Sequence, residues 1–235
     1  MTQKEKWYNP QKMLSYNQYL NFIIGGRGIG KTFAIKKYLL KRFIEKGHQF
    51  IYLRRNKSEL DRIDKDKFFT TELLRQVFDD FEIISSDASK IHTRIEFKAS
   101  NMKEEVNTLV LSTTKIILNG KIVCYLKSLS TWVDLKGSEY DEVMNIMYDE
   151  VLIDPTSNKR YLDNEVEALL NFIFSVFRRR DGIQRISNKR RRSEIRCSYR
   201  SFESGTFYGS ISMEKDKPLM LMLALHKLGI RQKHS

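Results

Sequence analysis

Residues 20–32 read LNFIIGGRGIGKT, and few stretches of thirteen residues leave a chain less freedom. The apolar run 20–24, closed by glycine, has the length and composition of a buried strand. The residues after it, KTFAIKKYLLKRFIEKG, place Ile35, Leu39 and Phe43 on one helical face, with Leu40 and Ile44 beside them. Lys36, Lys37, Lys41 and Arg42 fall largely on other faces, and Gly47 stands where a helix-ending cap belongs. HQFIYLRR then reads as a second strand. Strand, glycine loop, helix and strand make a βαβ unit with a right-handed crossover. That commits the chain to an α/β fold around a mainly parallel central sheet flanked by helices.

The glycines say what the loop is for. Gly25, Gly30, Lys31 and Thr32 satisfy the pattern G-x-x-x-x-G-K-[ST], with Gly26 and Gly28 as further glycines. A turn bare of side chains lets backbone N–H groups converge on phosphate oxygens, and the helix behind it aims its positive end at the same anion. Gly25, Gly26, Arg27, Gly28, Ile29, Gly30, Lys31 and Thr32 are therefore expected to cradle the phosphates of ATP. Lys31 can reach the β- and γ-phosphates, and the Thr32 hydroxyl can ligate Mg2+. Further along, VMNIMYDEV at 143–151 reads as a buried strand ending in Asp149 and Glu150. A carboxylate there can hold the Mg2+-bound water across from Thr32. A second acid directly after it can polarise the water that attacks the γ-phosphate. The adjacent Glu favours the additional-strand, catalytic-Glu (ASCE) class of P-loop NTPase over small-molecule kinases. The 118 positions from Lys31 to Asp149 leave room for the extra strand.

Between the two motifs, residues 58–80 are expected to be helical, and 81–129 to be strand-rich. FEIIS, TRIEF, TKIIL and KIVCYL are the strands there, with Asn119-Gly120 as a hairpin turn between the last two. Beyond the acids, Asp163 or Asn164 can cap a helix, and Val166, Leu169, Leu170, Ile173, Phe174 and Phe177 recur at steps of three and four. Arg178, Arg179 and Arg180 follow that helix. They could enter a neighbouring subunit's site and stabilise charge on the γ-phosphate, or serve as dipole partners at a helix C-terminus. Lys57 and Lys136 could track a phosphate backbone or act across a subunit boundary, or be solvated lysines. Trp7 and Tyr8 could face adenine or pack in the core.

Composition narrows the partners. The net charge of +13 over 235 residues is uneven: residues 178–200 hold ten Lys or Arg against two acids, so +8 lies there and +5 elsewhere. Such a balance suits a polyanion such as nucleic acid, or a solvated basic surface. Cys124 and Cys197 lack CxxC spacing and the four histidines are scattered, which indicates neither a zinc site nor a disulfide framework. No apolar run has membrane-spanning length; LMLMLAL near the end reads as buried helix or strand. The start lacks the apolar segment of a secretory signal, so an intracellular protein is expected. Residues 1–182 are read as a P-loop ATPase domain with an insertion at 81–129, and 183–235 as a basic, divergent segment or the remnant of a second domain.

YNPQKMLSY, GGRGIGKT, QFIYLRR, YDE and NEVEALLNFIFSVFRRR, in that order, make the chain resemble the genome-packaging ATPases of phi-29-like tailed phages over residues 8–182. The resemblance implies a homomeric ring, typically a pentamer, at the portal (connector) of a preformed capsid in the host cytoplasm. It implies that ATP hydrolysis drives double-stranded DNA inward, and in some relatives a packaging RNA joins the motor. Lys31 and Thr32 would bind nucleotide and Mg2+, with Asp149 as metal ligand, Glu150 as catalytic base and Arg178 acting on the adjacent subunit. The alternatives are another P-loop enzyme such as a nucleotide kinase, or a nucleic-acid-binding protein without turnover. The family continues after the helix with an apolar core strand ending in a Ser-Asn-Ala sensor, then a C-terminal domain. Here that place reads IQRISNKRRRSEI, so the sheet is expected to lack that strand.

Overall fold

The structure is a computed structural model that describes residues 8–15, 20–25, 28–89, 91–135, 140–151, 153, 160–177, 197–201, 207–211 and 220–226. A short helix, α1 (Gln11–Leu14), precedes strand β1 (Leu20–Gly25), helix α2 (Lys31–Lys46) and strand β2 (Gln49–Arg54), the expected βαβ unit. Helix α2 stops at Gly47, whose φ of 71° is left-handed and whose amide donates to the Phe43 carbonyl at 2.8 Å. Glycine takes that conformation without a Cβ penalty, which is why the helix ends there.

Residues 58–80 do not form the continuous helix expected of them. The stretch instead holds α3, which begins one residue earlier (Lys57–Asp61), a 3-10 turn (Lys65–Lys67) and α4 (Thr71–Arg75). Leu60, Phe68, Phe69, Leu73, Leu74, Val77 and Phe78 are all buried in one cluster, more apolar surface than a single helical face can present. The buried Lys65 closes α3 by turning back, its Nζ donating to the carbonyls of Leu60 (3.2 Å) and Ile63 (3.0 Å).

The insertion is β3 (Glu82–Ala88), β4 (Thr93–Lys98), β5 (Asn107–Leu111), β6 (Lys115–Leu118) and β7 (Lys121–Ser128). Four of these strands are the expected ones; β5 is additional. Asn119 and Gly120 both have positive φ, 47° and 77°, the conformation that a tight hairpin between twisted strands requires. Strand β8 (Val143–Asp149) and helix α5 (Glu165–Phe177) follow, then β9 (Cys197–Ser201), β10 (Phe207–Ile211) and β11 (Met220–His226).

All the described strands join one sheet in the order β3-β4-β5-β6-β7-β2-β8-β11-β1-β10-β9. Its centre, β7-β2-β8-β11-β1, is parallel, and both wings are antiparallel. The sheet is therefore mixed, with the parallel character confined to its middle. The expected gap is also corrected: β11 fills the position between β8 and β1, pairing Ala224 with Asp149 and His226 with Gly25. An apolar run tolerates cover on both faces, as a strand in the middle of a parallel sheet requires, and Met220–His226 supplies one.

Alternation along β2 and β8 separates two cores. Phe50, Tyr52 and Met147 pack with Ile35, Leu39 and Leu40 of α2, in a cluster that continues under the insertion. Ile51, Leu53, Ile146 and Tyr148 pack with Phe172, Ile173, Val176 and Phe177 of α5. Among the described residues no helix is long and apolar enough to cross a membrane. Because β11 is hydrogen-bonded on both sides, Leu223→Pro is expected to remove a ladder bond and orphan its acceptor, costing about 1–3 kcal/mol. A denaturant titration of the variant against the parent measures this; an unshifted midpoint would contradict a central β11.

Candidate active site

Strands β1, β2 and β8 point the same way, so their carboxyl ends share one edge of the sheet, the edge where α/β folds bind ligands. At that edge β1 gives way to the glycine turn. Gly28 and Gly30 have φ of 79° and 80°, and the space a side chain at Gly28 would enter is open. Gly30 caps α2 in the left-handed conformation, with Lys31 as the first helical residue. The Tyr8 amide donates to the Ile29 carbonyl at 2.8 Å, tying the preceding segment to the turn. The Tyr8 ring packs against the α2-side core.

Asp149 lies opposite the start of α2. Although 5% exposed, its carboxylate accepts from Thr32 Oγ1 (3.3 Å to Oδ1) and from the Tyr52 hydroxyl (2.8 Å to Oδ2). Arg54 Nη1 stands 4.0 Å from Asp149 Oδ2 and 2.9 Å from Glu150 Oε2. Burial and the Asp149 charge push the Tyr52 phenol well above its ordinary pKa, so it stays a donor. Burial lowers the pKa of Lys31, against the opposing pull of Asp149. One turn along α2, the buried Lys36 donates from Nζ to the Phe68 carbonyl at 3.0 Å and sits 3.8 Å from the Phe68 ring centroid. Burial is the main cause that brings its pKa down to about 8. Glu150 leaves β8 with a φ of 58°, left-handed for a residue with a side chain.

The structure thus brings together Gly28, Ile29, Gly30, Lys31, Thr32, Asp149 and Glu150 at one edge, with Gly25 at the end of β1. Gly26, Arg27, Trp7, Lys136 and Arg178–Arg180 lie outside the described residues. Lys57 is exposed at the first residue of α3. Sequence reasoning missed Tyr52, Arg54 and Arg55, although the two arginines closing a buried parallel strand were visible in YLRR. Arginine is costly at the end of such a strand unless it has partners, and that was the available signal.

The donor set suits magnesium on a phosphate. The Thr32 hydroxyl and Asp149 carboxylate are hard oxygen ligands, adjacent to each other at a helix N-terminus. Among the described residues no cluster of three His, Cys, Asp or Glu forms a metal cage. Mg2+ typically keeps waters and takes one or two protein ligands plus phosphate oxygens.

Comparison with known proteins bears on the family and the fold. The Podovirus DNA encapsidation protein (Gp16) family matches residues 2–95 and 88–203. The DNA packaging protein of Bacillus phage phi29 is 38% identical over 181 residues, covering 77% of this chain and 45% of that protein. The chain thus spans about half the length of the curated relatives it matches. Among solved structures, the Phi-28 gp11 DNA packaging motor aligns with a TM-score of 0.67 at 25% identity, over 94% of this chain and 50% of that one. The N-terminal domain of the DNA packaging ATPase from bacteriophage phi29 aligns with a TM-score of 0.56 at 30% identity, over 93% and 78% respectively.

Lys36 supplies a pH test. Its folded pKa of about 8 lies below the unfolded value of 10.5, so between these values the unfolded chain binds more protons and stability rises with pH. Relative to Lys36→Met, the parent protein is expected to gain up to about 3 kcal/mol as pH climbs through this window. Urea midpoints of both proteins at pH 7 and pH 10 check the sign; parallel curves would refute it.

Proposed function

Because the chain belongs to the Podovirus DNA encapsidation protein (Gp16) family, we propose that it is an ATP-hydrolysing subunit of a motor that moves double-stranded viral DNA into a preformed capsid. The observation that carries the reading is the contact of Thr32 with Asp149, which joins the glycine turn to the acid-ended strand across 117 positions. The strand order supports the ASCE class, since β11 lies between the strand that delivers the turn and the strand that ends in the acids.

In this reading the amides of residues 25–32 and the Lys31 ammonium bind the phosphates of ATP. Thr32 and Asp149 would hold Mg2+, which when bound supplies positive charge to the phosphate oxygens. Tyr52 fixes the Asp149 carboxylate through its second oxygen. Glu150 takes the proton from the attacking water as that oxygen bonds to the γ-phosphorus and the bond to the bridging oxygen breaks. Arg178, next after Phe177 in the sequence, acts on the γ-phosphate of a neighbouring subunit in a homopentameric ring. The ring docks on the capsid portal in the host cytoplasm, and a packaging RNA is a further partner. Lys57 and the basic residues of 178–200 are candidates for contact with the DNA backbone, whose charge rewards such contacts.

Glu150→Gln is expected to lower ATP turnover by about 100-fold or more while leaving ATP binding intact, the scale of a lost general base. Lys31→Ala should lose binding as well. Duplex DNA should stimulate the parent enzyme. Phosphate-release assays with and without DNA, beside equilibrium nucleotide binding, read all three. Phosphate transfer to a small acceptor without DNA stimulation would indicate a kinase instead.

A further inference from the structure

Arg55, the residue directly after β2, is 1% exposed, and its guanidinium is shared between two elements. Toward α5, Nε lies 2.7 Å from Glu165 Oε2 and Nη2 lies 3.0 Å from Glu165 Oε1, a two-pronged ion pair. Toward β8, Nη1 donates to the Glu150 carbonyl at 3.3 Å and Nη2 donates to the Val151 carbonyl. The Tyr161 ring covers the guanidinium, with its centroid 4.9 Å from Cζ. Glu165 is fixed in turn: it accepts from the Tyr148 hydroxyl at 2.7 Å and from the Leu162 amide at 3.0 Å.

A buried ion pair is a poor device for stability alone, because desolvating the two charges consumes most of what their attraction returns. This one is placed where it does something else. Hydrogen bonds to two consecutive carbonyls fix the peptide planes that follow Glu150, and Glu150 itself has the left-handed φ that a non-glycine residue adopts only when its surroundings impose it. Successive residues of β2 face opposite sides of the sheet. Arg54 accordingly takes the Glu150 carboxylate on the α2 side, while Arg55 holds the backbone on the α5 side.

We infer that Arg55, locked by Glu165, is a positioning residue for Glu150: it sets the backbone from which that carboxylate projects and fastens it to the first turn of α5. The inference rests on the proposed role of Glu150 in hydrolysis. Arg55 acts through Glu150 and has no role in holding nucleotide. Its loss should therefore affect turnover far more than binding.

The test measures steady-state ATP turnover and equilibrium binding of ADP and a non-hydrolysable ATP analogue, with Mg2+ present, for the parent chain, Arg55→Lys, Glu165→Gln and Glu150→Gln. Arg55→Lys keeps the charge but loses the fork, and Glu165→Gln keeps the shape of the side chain but loses the charge. Both are expected to lower kcat by about 100-fold, the scale of an ångström's misplacement. Both nucleotide affinities should stay within about threefold of the parent, the split that marks loss of a transition-state contact. Parent-like kcat in both variants overturns the inference, as does a parallel loss of binding and turnover, or failure of both variants to fold, either of which would assign the pair to stability. Normal turnover in Glu150→Gln is a distinct result that removes the premise and the inference together.

Discussion

A carboxylate shut away from water persists only where donors and positive charge surround it, and Asp149 is that carboxylate. Its two oxygens take hydrogens from different elements, Thr32 at the start of α2 and Tyr52 near the end of β2. The arrangement follows from periodicity. Tyr52 and Asp149 occupy strand positions that face α2, while Thr32 and Lys36 are four residues apart and so share a helix face. One buried acid thereby fixes how the first helix sits on the sheet.

The two faces of the sheet contribute differently. The α2 side supplies Lys31, Thr32, Tyr52 and Asp149 and a large aromatic core, in which Phe78, Phe81 and Phe97 lie with ring centroids 4.7–6.0 Å apart. Because that core runs without a break from α2 to beneath β4 and β5, the insertion is part of the scaffold. The α5 side supplies a smaller cluster and the polar network around Arg55 and Glu165. A site on the carboxyl edge is thus braced from above and below.

Much of this could be read from the residues. The glycine turn, the helix ending at Gly47, the Asn119-Gly120 hairpin and the acid-ended strand all rest on local chemistry, and local chemistry is visible in a sequence. The pairing of Thr32 with Asp149 was anticipated because each half of it carried a recognisable pattern. Two kinds of feature were not legible. The break-up of 58–80 depends on burying Phe68 and Phe69 together with Phe78, a demand set by tertiary packing. The partners of Arg54 and Arg55 depend on which strands lie beside β2 and where α5 begins, information spread over 95 to 110 positions. Strand β11 was half legible: LMLMLAL was read as buried, but nothing in it says between which neighbours it lies.

That location has a kinetic meaning. The strands that carry the glycine turn and the paired acids are made before β11, the strand that separates them, which follows every other described strand of the sheet. Until it arrives, β1 and β8 present bare edges to one another across an empty lane. A nascent chain in that condition is open to wrong pairings, since an unfilled edge accepts any extended segment within reach. The entropy of closing so long a loop grows only slowly with its length, but the search for the right partner is slow when contacts are distant in sequence. The edge that carries the glycine turn and the paired acids is thus not assembled until β11 has been made, and a ribosome-bound fragment ending before it would carry the motif letters without the shape.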